Sequence, residues 1–162
     1  MEKTELDQIL ETLELLTQVE AAMASYYTAC SETWSDFSAL WMDLAIEEEN
    51  HEKIIGDLIK IIRAHPEQFL KRLTIETSAV ESFIVSINEK VPDLRYGKVT
   101  LKGALEFAIW MEESIIEGRF FDLVISNNSR YLEFTDKMAS DLEKHRWKII
   151  QELEKMKEKN SV

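Results

Sequence analysis

Leu44-Ala45-Ile46-Glu47-Glu48-Glu49-Asn50-His51 decides how this chain is read. Leu44, Ile55 and Leu58 recur at helical spacing around His51, so the imidazole shares their apolar face. Glu48 lies one turn earlier on that face, because residues three apart on a helix are neighbours. A carboxylate and an imidazole among apolar positions are costly unless a cation or a hydrogen-bonding group meets them. Glu47, Glu49 and Glu52 flank the pair and form the expected wet face.

The periodic pattern around this stretch extends from about Asp36 to Ala64, through Leu40, Ile54 and Ile62, with Ser35 or Asp36 as the expected cap. A preceding helix is predicted from about Glu5 to Ser31. Thr4 caps it, with Asp7 three residues on, and Leu6, Ile9, Leu13, Leu16, Met23 and Tyr27 form its apolar face. The short link between the two predicts antiparallel neighbours. In the C-terminal half, a third helix is predicted to begin after Thr100, its expected N-cap, and to run to about Ser126 on Leu101, Ala104, Leu105, Ala108, Ile115 and Leu123. Asn127-Asn128-Ser129 reads as a turn, with asparagine as a left-handed C-cap. A fourth helix is predicted from about Tyr131 to Met156, and residues 157–162 as a frayed tail.

Residues 65–100 join the halves and contain Pro66, Pro92 and Gly97. Phe69-Leu70-Leu73 and Val80-Phe83-Ile84-Ile87 read there as short helical pieces in a crossover spanning the length of a bundle. Four glycines and two prolines in 162 residues leave few helix breakers and point to one all-α domain.

The formal charge is -12, with 31 acids against 19 Lys and Arg. That balance argues against a nucleic-acid partner and against an anionic membrane surface. No apolar run reaches the ~18 residues of a membrane span. The N-terminal Met-Glu-Lys-Thr-Glu-Leu-Asp is too acidic for a signal peptide, so a cytoplasmic location is expected. The lone Cys30 forms no internal disulfide and reads as a small buried hydrophobe. Trp34, Trp41, Trp110 and Trp147 stand at helical positions and read as packing residues, and His65 before Pro66 as a surface turn residue. No Gly-rich phosphate loop or nucleophile elbow is present.

Two further acids sit among apolar helical neighbours. Glu20 shares a face with Leu13, Leu16, Met23, Ala24 and Tyr27. Glu112 shares one with Leu105, Ala108, Ile115 and Ile116, whereas Glu113 aligns with Glu106 and Glu117 on the solvated side. The second half also has a buried-face histidine, His145, beside Met138, Leu142 and Ile149. A glutamate from each of two helices plus a Glu-x-x-His from each of the other two is the ligand set of di-iron and di-manganese carboxylate bundles. Glu20, Glu48, His51, Glu112 and His145 make five of those six ligands. The sixth position, three before His145, is Leu142, and Asp141 is the nearest substitute ligand. Arg119, seven after Glu112, is a rival cation that either reaches core carboxylates or extends to solvent.

Val19-Glu20 followed by Tyr26-Tyr27, then Glu48-Glu49-Asn50-His51, then residues 100–109 leading into Glu112, then Lys144-His145, resemble the rubrerythrin-like branch of the ferritin-like superfamily. The resemblance covers most of the chain. It implies a ferritin-like four-helix bundle with a carboxylate-bridged di-iron centre, reduction of peroxide or handling of oxygen and iron stress, and a homodimer. The four cysteines of a rubredoxin-like domain are absent, so electrons are expected from a separate donor protein.

Two functions follow as expectations. One is a metal-dependent oxidoreductase or peroxidase using iron, with manganese as an alternative that suits the same oxygen and nitrogen ligands. Its Tyr27 is expected to donate a hydrogen bond to a ligating carboxylate. The other is a non-catalytic bundle with a vestigial metal site and a binding or interaction role, favoured by Leu142 and Arg119.

Overall fold

The computed structural model describes residues 4–114 and 122–159. Helix α1 spans Glu5–Thr33, α2 Ser38–Ala64, α3 Thr77–Arg95, α4 Leu101–Glu112 and α5 Ser129–Lys159. Strands β1, Phe69–Lys71, and β2, Val124–Ser126, form the only sheet among the described residues. The chain is therefore predominantly helical.

Helix α1 starts on a capping box. The Asp7 N–H donates to the Thr4 hydroxyl oxygen and the Thr4 N–H donates to the Asp7 carboxylate, each at 3.1 Å. Helix α2 starts differently from expectation. A 3-10 turn, Ser35–Phe37, leads into it, and neither Ser35 nor Asp36 caps it with a side chain. Trp41, Leu44, Ile55, Leu58 and Ile62 are fully buried and fix the face that α2 turns to the core. Helices α1 and α2 pack along each other, α3 packs on α1, and α5 packs on both α2 and α4.

The crossover holds more structure than short helical pieces. Phe69-Leu70-Lys71 alternates buried, exposed and half-buried, which is a strand period. It pairs antiparallel with Val124–Ser126, Leu70 opposite Ile125. The Leu123 carbonyl extends the link by accepting from the N–H groups of Arg72 and Leu73. The Val80-Phe83-Ile84-Ile87 piece belongs to a 19-residue helix whose Val80, Phe83, Ile87, Val91 and Leu94 are buried. Pro92 is tolerated near the end of α3, where few helical bonds remain to be lost. Gly97, at φ 67, then turns the chain, and the Tyr96 N–H closes on the Pro92 carbonyl.

The third predicted helix is shorter than expected. Thr100 does cap α4, its hydroxyl oxygen accepting from the Gly103 N–H, but the helix ends at Glu112. Residues 124–126 leave the helical pattern because β-branched Val124 and Ile125 gain a strand partner. Ile115, Ile116, Glu117 and Arg119 lie outside the described residues. Asn128 is not a left-handed C-cap, since no described residue other than glycine has positive φ. It caps the start of α5 instead, its side-chain oxygen accepting from the N–H groups of Arg130 and Tyr131. Helix α5 then runs past the expected end, so residues 157–159 of the expected tail are helical. Among the described residues no helix is long and apolar enough to cross a membrane.

Candidate metal centre

Four helices bring five charged side chains to one buried place. Glu20 comes from α1, Glu48 and His51 from α2, Glu112 from the last position of α4, and His145 from α5. All five are at most 4% exposed. Glu113, the rejected neighbour of Glu112, is exposed and pairs with Arg146.

Two triads form. Glu20, Glu48 and His51 make one and Glu48, Glu112 and His145 the other, with one ligand atom per residue all within 4.8 Å of each other in each triad. Glu48 belongs to both. Its Oε2 lies 2.9 Å from His51 Nδ1 and its Oε1 3.2 Å from His145 Nδ1. His51 Nδ1 is also 3.7 Å from Glu20, and His145 Nδ1 3.6 Å from Glu112. The imidazoles stack, 5.4 Å between centroids, with both Nδ1 atoms toward the carboxylates. Tyr27 donates its hydroxyl to Glu112 Oε1 at 2.6 Å and stacks against fully buried Trp41. The expected tyrosine contact is thus present.

Burial and charge pull these groups in opposite directions. Burial pushes the Glu20 carboxyl up to about 8, against the pull of His51. Burial and the neighbouring charge of Glu48 raise Glu112 too. Glu112 also ends a helix, where the partial negative charge of the terminus disfavours a carboxylate. For Glu48, burial raises the pKa but the imidazoles of His145, at 3.2 Å, and His51, at 2.9 Å, outweigh it and hold the group at about 2. For His51, burial favours the neutral form, yet Glu20 and Glu48 lift it to about 11. His145 is lifted to about 10 against its burial by Glu112 and Glu48.

Hydrogen bonds within the cluster do not satisfy it. Two Nδ1 positions and the Tyr27 hydroxyl are the donors aimed at three carboxylates, which offer two oxygens each. Among the described residues, seven buried side-chain nitrogen or oxygen atoms lack a hydrogen-bond partner. All but Trp41 Nε1 belong to these five residues, including Glu20 Oε2, Glu48 Oε1, Glu112 Oε2 and His145 Nδ1. Orphaned carboxylate oxygens beside inward imidazole nitrogens fit a cation with oxygen and nitrogen preference.

The outer imidazole nitrogens face acids on the opposite helix. His51 Nε2 lies 3.5 Å from Asp141 on α5, and His145 Nε2 lies 2.6 Å from Glu47 on α2. Neither contact is aligned as a hydrogen bond. Asp141, the expected substitute ligand, therefore stands behind His51 and belongs to neither triad. Burial raises its carboxyl pKa, but Lys137 and Lys144, at 2.5 and 2.9 Å, outweigh that and drive it far below the usual range. Glu47 is not on a purely wet face as expected: it touches His145 and also accepts from Lys148 at 3.2 Å. The signal for it was positional, since Glu47 precedes His51 by four residues as Asp141 precedes His145.

The other expected packing residues divide. Trp41 and Cys30 are fully buried, whereas Trp110 and Trp147 are 46% and 61% exposed. His65 is exposed, as its place before Pro66 predicts. No family model, curated protein or solved structure matches this chain, so what the centre does is argued from its geometry.

Proposed function

We propose that this chain is a ferritin-like bundle of the rubrerythrin kind whose two triads hold a pair of metal ions, and that it acts as an oxidoreductase on peroxide or oxygen. The observation that carries the reading is Glu48, which offers one oxygen to each triad while its Oε1 has no hydrogen-bond partner in a fully buried setting. Glu20 with His51 and Glu112 with His145 would complete the two positions. Iron suits the donor set and would supply the electrons for reducing peroxide; manganese suits the same ligands.

The protein's own residues have definite parts in such a centre. Glu48 would be shared by the two positions. Glu47 and Asp141 stand close behind the two rings, on the side from which acids orient metal-binding histidines. Tyr27 holds a phenolic proton beside Glu112, kept on the oxygen because burial raises its pKa well above the ordinary value. A separate donor protein would return the electrons.

Anaerobic titration of metal-free protein with Fe(II) or Mn(II), followed by elemental analysis, tests the reading. About two ions per chain are expected, with peroxide consumption on adding a reductant to the iron form. Absence of bound metal at saturating Fe(II) and Mn(II) would sink it. One observation favours the second reading, a vestigial site on a binding scaffold: Leu142 stands where a fourth carboxylate is due. Under that reading Leu142→Glu restores metal uptake that the natural chain lacks.

A further inference from the structure

Helix α3 packs on α1 and helix α4 on α5, and a cleft of about 330 Å³ opens between α3 and the start of α4. Its walls come from Tyr26 of α1, Lys90 of α3, Gly103 and Phe107 of α4, and the Lys98-Val99-Thr100 link. None of the five Glu/His cluster residues lines it. The Tyr26 wall is formed in advance: the residue is 1% exposed, and its hydroxyl donates to the Ala104 carbonyl at 3.0 Å. The Phe107 ring meets it at 5.2 Å between centroids, tilted by 51°. Gly103 keeps the α4 wall bare, since a methyl there would come within 3.3 Å of Thr100 Oγ1 and 3.6 Å of Val99 Cγ1.

None of the seven lining residues is an acid, although the chain carries 31 acids against 19 Lys and Arg. Asp93 answers the charge of Lys98 at 3.1 Å. Lys90 has no acid partner among the described residues; its ammonium lies 5.7 Å from the Phe107 centroid. We propose that this cleft binds a small aromatic carboxylate, its ring against Phe107 and Tyr26 and its charge toward Lys90. One uncompensated ammonium matches the single charge of a carboxylate better than the larger charge of a phosphate ester. Aromatic walls favour an aromatic ring, through offset or edge-to-face contact, over an aliphatic body of the same size. The volume is at the low end for small-molecule sites, which limits the ligand to one or two rings. The positive end of α4, at Thr100 and Gly103, adds to the attraction for an anion. The proposal goes beyond the metal reading and does not depend on it.

The full chain, labelled with 15N, is titrated with benzoate at low salt and followed by amide chemical shifts. Saturable shifts are expected at residues 100–104. Benzyl alcohol keeps the ring without the charge, acetate keeps the charge without the ring, and cyclohexanecarboxylate keeps charge and bulk without aromaticity. Benzoate is expected to bind at least about tenfold tighter than the first two and about threefold tighter than the third. Lys90 is exposed, so Lys90→Gln should fold; it is expected to weaken benzoate at least about threefold. Lys60→Gln, at an exposed lysine outside the cleft, is expected to leave binding unchanged. No saturable shift up to about 20 mM benzoate overturns the proposal, as do shifts centred away from the start of α4. Equal binding of benzyl alcohol or acetate overturns it too, and so do equal effects of the two lysine substitutions. Equal binding of cyclohexanecarboxylate overturns the aromatic preference. Each of these results leaves metal uptake by the two triads untouched.

Discussion

Glu48 is the residue both triads share, and its replacement separates them from single-triad changes. Glu48→Gln keeps the shape and removes the charge opposite two imidazoles. Breaking a buried pair of this kind costs about 3–5 kcal/mol, measurable by urea denaturation of the metal-free protein. Metal content should fall from two ions to none, whereas Glu20→Ala or Glu112→Ala should each leave one; equal loss in all three would argue against two positions. The titrations also have a sign. Folded His51 and His145 hold protons up to about 11 and 10, against 6.5 unfolded, so their stabilisation is complete below 6.5 and is lost as pH rises toward those values. Folded Glu20 holds a proton up to about 8, against 4.5 unfolded, so it too makes stability fall as pH rises through that window. Glu48 acts in the acid range: held at about 2, it stabilises above 4.5 and that contribution is lost as pH falls toward 2. Metal-free protein should therefore lose stability between pH 5 and pH 9, while metal affinity rises over the same range because ligation expels these protons. Thermal melts with and without Mn(II) across that range check both trends, and parallel pH profiles would contradict the assignment. At this scale the sequence was readable where a polar residue sat on an apolar stripe, as Glu20, Glu48, His51, Glu112 and His145 do. Glu47 escaped because it stands at the edge of its helix face, and its partner His145 is about a hundred residues away in the chain.

Helix boundaries follow local chemistry where that chemistry is complete. Thr4 with Asp7, and Thr100 before Gly103, are side-chain caps written into a few residues, and both structures form. Asn128 shows the limit: the same asparagine reads as the end of one helix or the start of the next, and its two accepted N–H bonds decide for the start. Asn128→Ala should cost about 1 kcal/mol and fray the first turn of α5, seen as faster amide exchange at Arg130 and Tyr131; unchanged exchange there would remove it as a cap. The ribbon was not legible because its strands are about fifty residues apart, and each is a three-residue apolar piece that a helix would also accept. Only pairing distinguishes them. Phe69 packs edge-on against Tyr131 and is buried, so Phe69→Ala should cost about 3–5 kcal/mol. Leu70 points out, 65% exposed, so Leu70→Lys should stay within about 0.5 kcal/mol. Equal effects of the two substitutions would contradict the observed strand register.

The candidate ligands converge from α1, α2, α4 and α5, while α3 supplies none, so metal binding at the two triads would be a property of the whole molecule with a local signature. The alternative of a core held only by packing predicts no such division, since one hydrophobic cluster spans α1 to α5. A cation that binds the folded chain alone stabilises it by mass action, about 2.7 kcal/mol at a hundredfold excess over its dissociation constant. For a chain of this size that raises the melting temperature by about 5–10 °C. The increment should not be uniform. Opening α4 or α5 breaks ligation, so amide protection should rise along Leu101–Glu112 and around His145. Residues of α3 and the β1–β2 ribbon can open with both triads intact, so their local exchange should change little. Hydrogen exchange with and without Mn(II) reads this directly. Protection confined to α3, or a melting temperature unmoved by saturating Mn(II) at pH 8, would mean that the buried acids are balanced by protons alone, which the raised Glu20 and Glu112 carboxyls would then explain.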